Sequence, residues 1–269
     1  MPVVVRLRSA VCLLDRFPAL AGVDLDVAER EILLVSGANG AGKTTLLRLI
    51  AGLVPLQSGT ADVLGHDLAT DRTGARRDLA LVGHDTFCYD DLTVRENLRF
   101  AARAAQPPRT GPRSLKFFLS KRGPVPGGRT VGRPSTAGGT AGDAACDTAC
   151  DAAMERLGLT RVAATTHARL SAGQRKRLAL AVALTREPRL LLLDEPHAGL
   201  DARGREVLDA VVASAPSEGR TVVLVSHEVD RARTLATREV VLHAGRAVSV
   251  ASPAPAAAAQ TGSSSAARA

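Results

Sequence analysis

The chain has 269 residues, 45% hydrophobic and 2% aromatic side chains, one Tyr and no Trp. That length allows one large α/β domain or two small ones with a full apolar core, and the shortage of rings argues against base stacking on nucleic acid and against a sugar cleft. The net charge of +8 is concentrated: residues 106–142 carry seven basic side chains and no acid, leaving the remainder nearly neutral, so the excess marks one segment and not a nucleic-acid surface.

Near the start, Arg6, Arg8, Asp15 and Arg16 interrupt any apolar leader, and no stretch approaches the ~18 apolar residues of a spanning helix; a soluble, cytosolic chain is expected. Residues 3–7, 10–14 and 23–27 read as short, half-exposed antiparallel strands, with a Pro18-containing loop between the second and third. Ile32–Val35 is wholly apolar; a glycine-rich turn follows, then a helix from Lys43 to Ile50. Leu79–Val82, Leu190–Leu193 and Val222–Val225 are further apolar runs, the mark of strands buried on both faces of a parallel sheet. Together they predict an α/β fold: a mostly parallel central sheet with an antiparallel edge from the N-terminal third.

Residues 106–142 are rich in Pro, Gly, Ser and Thr and read as irregular. Helical periodicity returns in AACDTACDAAMERLGL and ends at Gly158. Residues 251–269 read as a disordered tail, which leaves one domain over 3–250, interrupted at 106–142. Cys12, Cys88, Cys146 and Cys150 lack metal-ligand spacing and read as small apolar residues.

Two motifs carry chemistry. Gly37-Ala38-Asn39-Gly40-Ala41-Gly42-Lys43-Thr44 fits G-x-x-x-x-G-K-[ST] and lies between strand and helix, where glycines let backbone N–H groups turn inward onto phosphate oxygens and the helix start adds positive potential. Lys43 then reaches the β- and γ-phosphates, Thr44 offers a hydroxyl to Mg²⁺, and Thr45 extends the phosphate-binding stretch. Downstream, Leu190 to Leu193 run into Asp194 and Glu195. An acid ending a strand there faces the metal beside Thr44, and the next acid is placed to orient or deprotonate a water.

With these in place, Leu170-Ser171-Ala172-Gly173-Gln174 resembles the signature motif of the ATP-binding cassette (ABC) family, the ATPase subunits of ABC transporters. It opens an apparent helix, Gln174 to Arg186, 24 residues before Glu195. Ala198-Gly199-Leu200-Asp201 resembles the family's D-loop, and His227 its switch histidine. The resemblance implies an ABC-type P-loop NTPase fold with an N-terminal antiparallel β-subdomain and a helical signature subdomain. It also implies ATP and Mg²⁺ as cofactors, and a head-to-tail dimer, with a second ATPase subunit of the same kind. Each site would take Lys43, Thr44, Asp194, Glu195 and His227 from one subunit and Ser171 to Gly173, with Gln174 beside them, from the other. A polytopic transmembrane permease is the implied partner, at the cytoplasmic face of the cell membrane; no nucleic acid is.

Two family features differ. The family's Gln between P-loop and signature falls at His84, with Asp85 next; a neutral His would position water, and an Asp would ligate Mg²⁺ directly or through water. The adenine-stacking aromatic falls at Leu14, with Phe17 the nearest ring, read either as the adenine platform or as packing. ADVLGHDL, from Ala61 to Leu68, resembles the family's hairpin after the P-loop helix. LVGHDTFCYDDLTVRENLRF and LSAGQRKRLALA most resemble the heme-exporter ATPases of cytochrome c biogenesis. The alternatives are a soluble ABC-type ATPase or a nucleotide-dependent regulator unconnected with transport. In the basic insertion, Leu115, Phe117, Phe118 and Leu119 beside Lys116, Lys121 and Arg122 read either as a contact to anionic lipid or the permease or as a solvated loop.

Overall fold

The computed structural model describes residues 2–14, 17–83, 87–105 and 141–249. Burial alternates along β1 (Val3–Leu14) and β2 (Phe17–Ala28), which pair antiparallel. The strands expected at 3–7 and 10–14 are one strand. Ser9 takes φ +46, its N–H donates to Asp24 Oδ1 at 2.8 Å, and the register slips between Leu7 and Ala10. A bulge of this kind inserts a residue without ending the strand. The loop expected around Pro18 is also a strand: β2 lies at the edge of its sheet, where a missing N–H breaks no central ladder. On the other side of β1, β4 (Ser58–Val63) turns through Leu64 and Gly65 into β5 (His66–Asp67), the hairpin expected at Ala61 to Leu68.

The second sheet has the order β10–β9–β3–β8–β7–β6. Its members are β3 (Ile32–Ser36), β6 (Leu79–Val82), β7 (Leu190–Asp194), β8 (Thr221–Val225), β9 (Arg238–His243) and β10 (Arg246–Ser249). β9, β3, β8, β7 and β6 run parallel, and β10 returns antiparallel on β9. Alternation along these strands serves two cores. Leu33, Val35, Leu190, Leu192, Val223 and Val225 join α1 (Lys43–Ile50) and the antiparallel sheet. Ile32, Leu34, Leu191, Leu193, Val222 and Leu224 join the helices of the other layer. Both faces are covered, so the strands are apolar throughout, and each buried Leu or Val contributes about 1.5–3 kcal/mol over its exposed state.

The helical layer is built from α2 (Val94–Ala105), α3 (Ala141–Arg156), α4 (Ala172–Leu184), α5 (Ala202–Ser214) and α6 (Val229–Leu235). α2 opens on a reciprocal cap: Glu96 Oε2 accepts from the Thr93 N–H at 2.8 Å while Thr93 Oγ1 accepts from the Glu96 N–H at 3.2 Å. Arg99 grips Asp147 at 2.6 and 2.9 Å, tying α2 to α3. Cys12 is buried in the first core and Cys146 and Cys150 in the second, as small apolar residues. α4 begins and ends two residues earlier than expected, because Ser171 and Gln174 form a capping box that starts the helix at Ala172. The basic insertion, with Leu115 to Arg122, and the tail at 251–269 lie outside the described residues.

A buried acid anchors the strand that feeds the P-loop. Glu239 on β9 accepts from Ser36 Oγ at 2.6 Å and from Arg233 Nε at 2.8 Å. The Arg233 hydrogen bond, against the opposing cost of burial, holds the Glu239 carboxyl below the usual glutamate range. A depressed folded-state pKa contributes stability that is complete above the unfolded value near 4.3 and is lost as pH falls towards the folded value. Glu239→Gln should therefore cost about 1–3 kcal/mol at neutral pH, and the gap to the unsubstituted protein should close on acidification below about pH 4. Thermal melts across pH 3–7 measure it; a gap that does not narrow in acid would refute the assignment.

Candidate functional site

The phosphate-binding loop is shaped by close backbone approaches. Gly37 sits at φ +137, and a Cβ there would come within 2.2 Å of the Leu242 carbonyl oxygen on β9. Gly42, the cap of α1 at φ +102, would bring a Cβ to 2.5 Å from the Ala19 carbonyl oxygen on β2. Only glycine fits either place. The turn between β9 and β10 closes the cradle: Gly245 N–H donates to Ala41 O at 3.2 Å, and Gly245 O accepts from Ala21 N–H at 2.8 Å. Within it, Lys43 is buried and its Nζ donates to Gly37 O at 2.8 Å and Ala38 O at 3.0 Å. The N–H groups opening α1, from Lys43 to Thr45, have no carbonyl four residues back inside the helix and so suit an anion.

Sheet register delivers the acids to the same end. Asp194 pairs with Val225 of β8, and Val225 with Val35 of β3. The carboxylate ending β7 and the strand entering the P-loop thus flank β8, about 10 Å apart. Asp194 is buried, and its Oδ1 finds no hydrogen-bond partner among the described residues. A buried carboxylate oxygen left bare is costly and fits a cation; the Thr44 hydroxyl is another hard oxygen of the kind Mg²⁺ takes. Glu195 turns out of the strand at φ +52. Its Oε2 accepts from the His227 N–H at 2.9 Å, and its Oε1 lies 3.3 Å from His227 Nε2. Oε1 makes no hydrogen bond among the described residues, which leaves a carboxylate oxygen able to accept one.

The signature residues stand apart from this pocket. Ser171 and Ala172 are exposed at the start of α4, and Gly173 rests on the D-loop, where a Cβ would lie 3.4 Å from Gly199 O. Asp201 caps α5 by accepting from the Gly204 N–H at 2.7 Å. Phe17 opens β2 at 79% exposure, two residues from the Ala19 carbonyl that meets Gly42. Core packing for this ring is thus excluded. Gly83, the residue before His84, lies beside Asp194: a Cβ on Gly83 would lie 3.9 Å from Asp194 Cβ. His84 and Asp85 themselves lie outside the described residues.

Several participants escaped sequence reasoning. His197 is buried, with Nε2 2.9 Å from Asp209 Oδ1, and Arg231 Nε donates to Asp209 Oδ2 at 2.8 Å. Asp209 thereby joins the residue before the D-loop to α6, the helix just after His227; its hydrogen bonds raise the Arg231 pKa. Arg205 on α5 pairs with Glu228 at 3.2 Å. Lys176 on α4 donates to the carbonyls of Glu195 and Ala198. Lys176 had one legible signal, its rarity: only four of the 35 basic residues are lysines. His167 reaches Asp90 at 2.6 Å, linking the approach to the signature with the segment before α2.

The profile of the ABC transporter family matches residues 20–198. The sulfate/thiosulfate import ATP-binding protein CysA of Brucella melitensis is 35% identical over 242 residues, 88% of this chain and 58% of that protein. The cytochrome c biogenesis ATP-binding export protein CcmA of Bordetella bronchiseptica is 35% identical over 205 residues, 76% of this chain and 75% of that one. The chain thus spans 58% of the length of the CysA relative. Among solved structures, a dimeric ATP-binding cassette in a post-hydrolysis state with ADP and Pi superposes at TM-score 0.71 and 23% identity, covering 90% of this chain and 96% of that chain. An ATP-binding subunit of an ABC transporter gives 0.72 and 24%, covering 91% and 88%. Cradle, unpartnered Asp194 oxygen and matches agree: the chain belongs to the ABC transporter family.

Proposed function

We propose that the chain is the ATP-binding and ATP-hydrolysing subunit of an ABC transporter, powering a separate polytopic permease by closing on a second copy of itself. One observation carries this reading. Glu195 Oε1, without a hydrogen bond among the described residues and beside His227, lies one residue from Asp194, whose Oδ1 is likewise unpartnered among them, at the sheet end that enters the P-loop.

In this reading Gly37 to Thr45 cradle the phosphates and Lys43 offsets their charge. Thr44 and Asp194, with Asp85, hold Mg²⁺, which when bound neutralises phosphate charge. His84 orients the attacking water. Glu195 Oε1 accepts its proton as the water oxygen bonds to the γ-phosphorus and the bond to the bridging oxygen breaks, giving ADP and phosphate. His227 keeps the carboxylate aimed. Ser171 to Gln174 of the second copy offer a helix start to the γ-phosphate, so that the nucleotide bridges the copies and hydrolysis releases them.

Phe17 serves as the adenine platform in this proposal. Aromatic stacking contributes about 1–3 kcal/mol by alanine substitution, so Phe17→Ala should weaken binding of a fluorescent ATP analogue by roughly ten-fold with an unchanged melting temperature. Equal affinity would exclude the platform.

The finer reading is heme export for cytochrome c biogenesis, with the chain peripheral on the cytoplasmic face of the membrane. It is supported by LVGHDTFCYDDLTVRENLRF and LSAGQRKRLALA and by the likeness to an export protein named for that process. Sulfate import is the second reading, favoured by relatives of the same identity. No helix among the described residues is long and apolar enough to cross a membrane. Co-purification with a polytopic protein, and ATPase stimulation in proteoliposomes by heme but not sulfate, is the expected result. Stimulation by sulfate would select import, and no membrane partner would favour a soluble ATPase or a regulator.

A further inference from the structure

The loop that carries Glu195 is held from outside its own strand. Lys176 stands on α4, five residues beyond Ser171, and its Nζ donates to Glu195 O and, at 3.1 Å, to Ala198 O. The Ala198 N–H also reaches Glu195 O at 3.3 Å, which closes a small turn around the ammonium. Glu195 at φ +52 is in a conformation that residues with a Cβ disfavour, so the surroundings must impose it. That conformation sends the carbonyl to Lys176 and the carboxylate to His227. A second contact lies one turn earlier on α4, where Gly173 rests on Gly199 O.

We propose that Lys176 is a positioning residue for hydrolysis: its ammonium clamps the Glu195 and Ala198 carbonyls, imposes the left-handed turn, and holds the carboxylate against His227 in register with α4. The inference rests on the hydrolytic reading above and deepens it. Burial pushes the Lys176 ammonium pKa down, while the charges of Glu195 and Asp194 partly restore it. A charged donor on carbonyl acceptors makes stronger bonds than a neutral one. Because α4 begins with the residues assigned to the partner's nucleotide, this one side chain joins the helix serving one site to the base serving the other.

Three measurements test the clamp. Lys176→Met keeps the length and removes the donor; kcat should fall at least about ten-fold while equilibrium affinity for a fluorescent ATP analogue changes less than about two-fold. Lys176→Arg should restore most of the rate. In a Glu195→Gln background, adding Lys176→Met should lower the rate by less than about two-fold further, because both changes act through one carboxylate. A normal rate in Lys176→Met, or independent losses that multiply in the double variant, would overturn the proposal. Amide hydrogen exchange of nucleotide-free protein gives a readout that needs no turnover: the Ala198 N–H should exchange faster in Lys176→Met, and unchanged exchange overturns the clamp. If the unsubstituted protein hydrolyses no ATP, the functional reading falls, and the exchange result still decides the clamp.

Discussion

Lys43→Ala should abolish most nucleotide affinity, turnover or both. The ammonium is buried and bonded to Gly37 O and Ala38 O, so it already stands inside the cradle. Hydrogen bonds from a charged donor contribute about 1.5–3 kcal/mol each, and losing two to a phosphate amounts to roughly a hundred-fold or more at 1.4 kcal/mol per decade. The fold should survive, since both core clusters are left intact. Equilibrium binding of a fluorescent ATP analogue and steady-state hydrolysis, with a melting curve as control, measure the effect. Wild-type values for both would remove Lys43 from the site.

Glu195→Gln separates binding from chemistry. Glutamine keeps the shape and an oxygen for the His227 N–H, which Glu195 Oε2 accepts at 2.9 Å, but it has no charge to take a proton. General base catalysis contributes about 10²–10⁴-fold, so hydrolysis should drop by that order while ATP still binds. With release blocked, a complex of two copies should accumulate in ATP and Mg²⁺ on a sizing column. Normal hydrolysis would mean that another group takes the proton.

How much of this was legible depended on how local each feature is. The P-loop helix has the expected bounds, Lys43 to Ile50, because glycine punctuation and an apolar face are written in consecutive residues. The apolar runs at Leu79, Leu190 and Val222 announced the parallel sheet, since burial on both faces needs no partner to be named. Pro18 misled because its effect depends on whether the strand lies at an edge, which only the assembled sheet decides. The Thr93–Glu96 cap is a readable start signal for α2, since both partners lie three residues apart in the sequence. Lys176, the His197–Asp209–Arg231 group and Ser36–Glu239 were hidden for another reason. Their partners are joined by tertiary packing, and neither spacing nor composition announces a carbonyl as a lysine's partner.

The hairpin of β9 and β10 sets an order of assembly. Gly37 is fitted against Leu242, and Ala41 is bonded to Gly245, some two hundred positions later in the chain. During synthesis the cradle's own glycines leave the ribosome well before the strand that Gly37 rests on. The cradle therefore takes its full shape only when β9 and β10 have joined the sheet beside it.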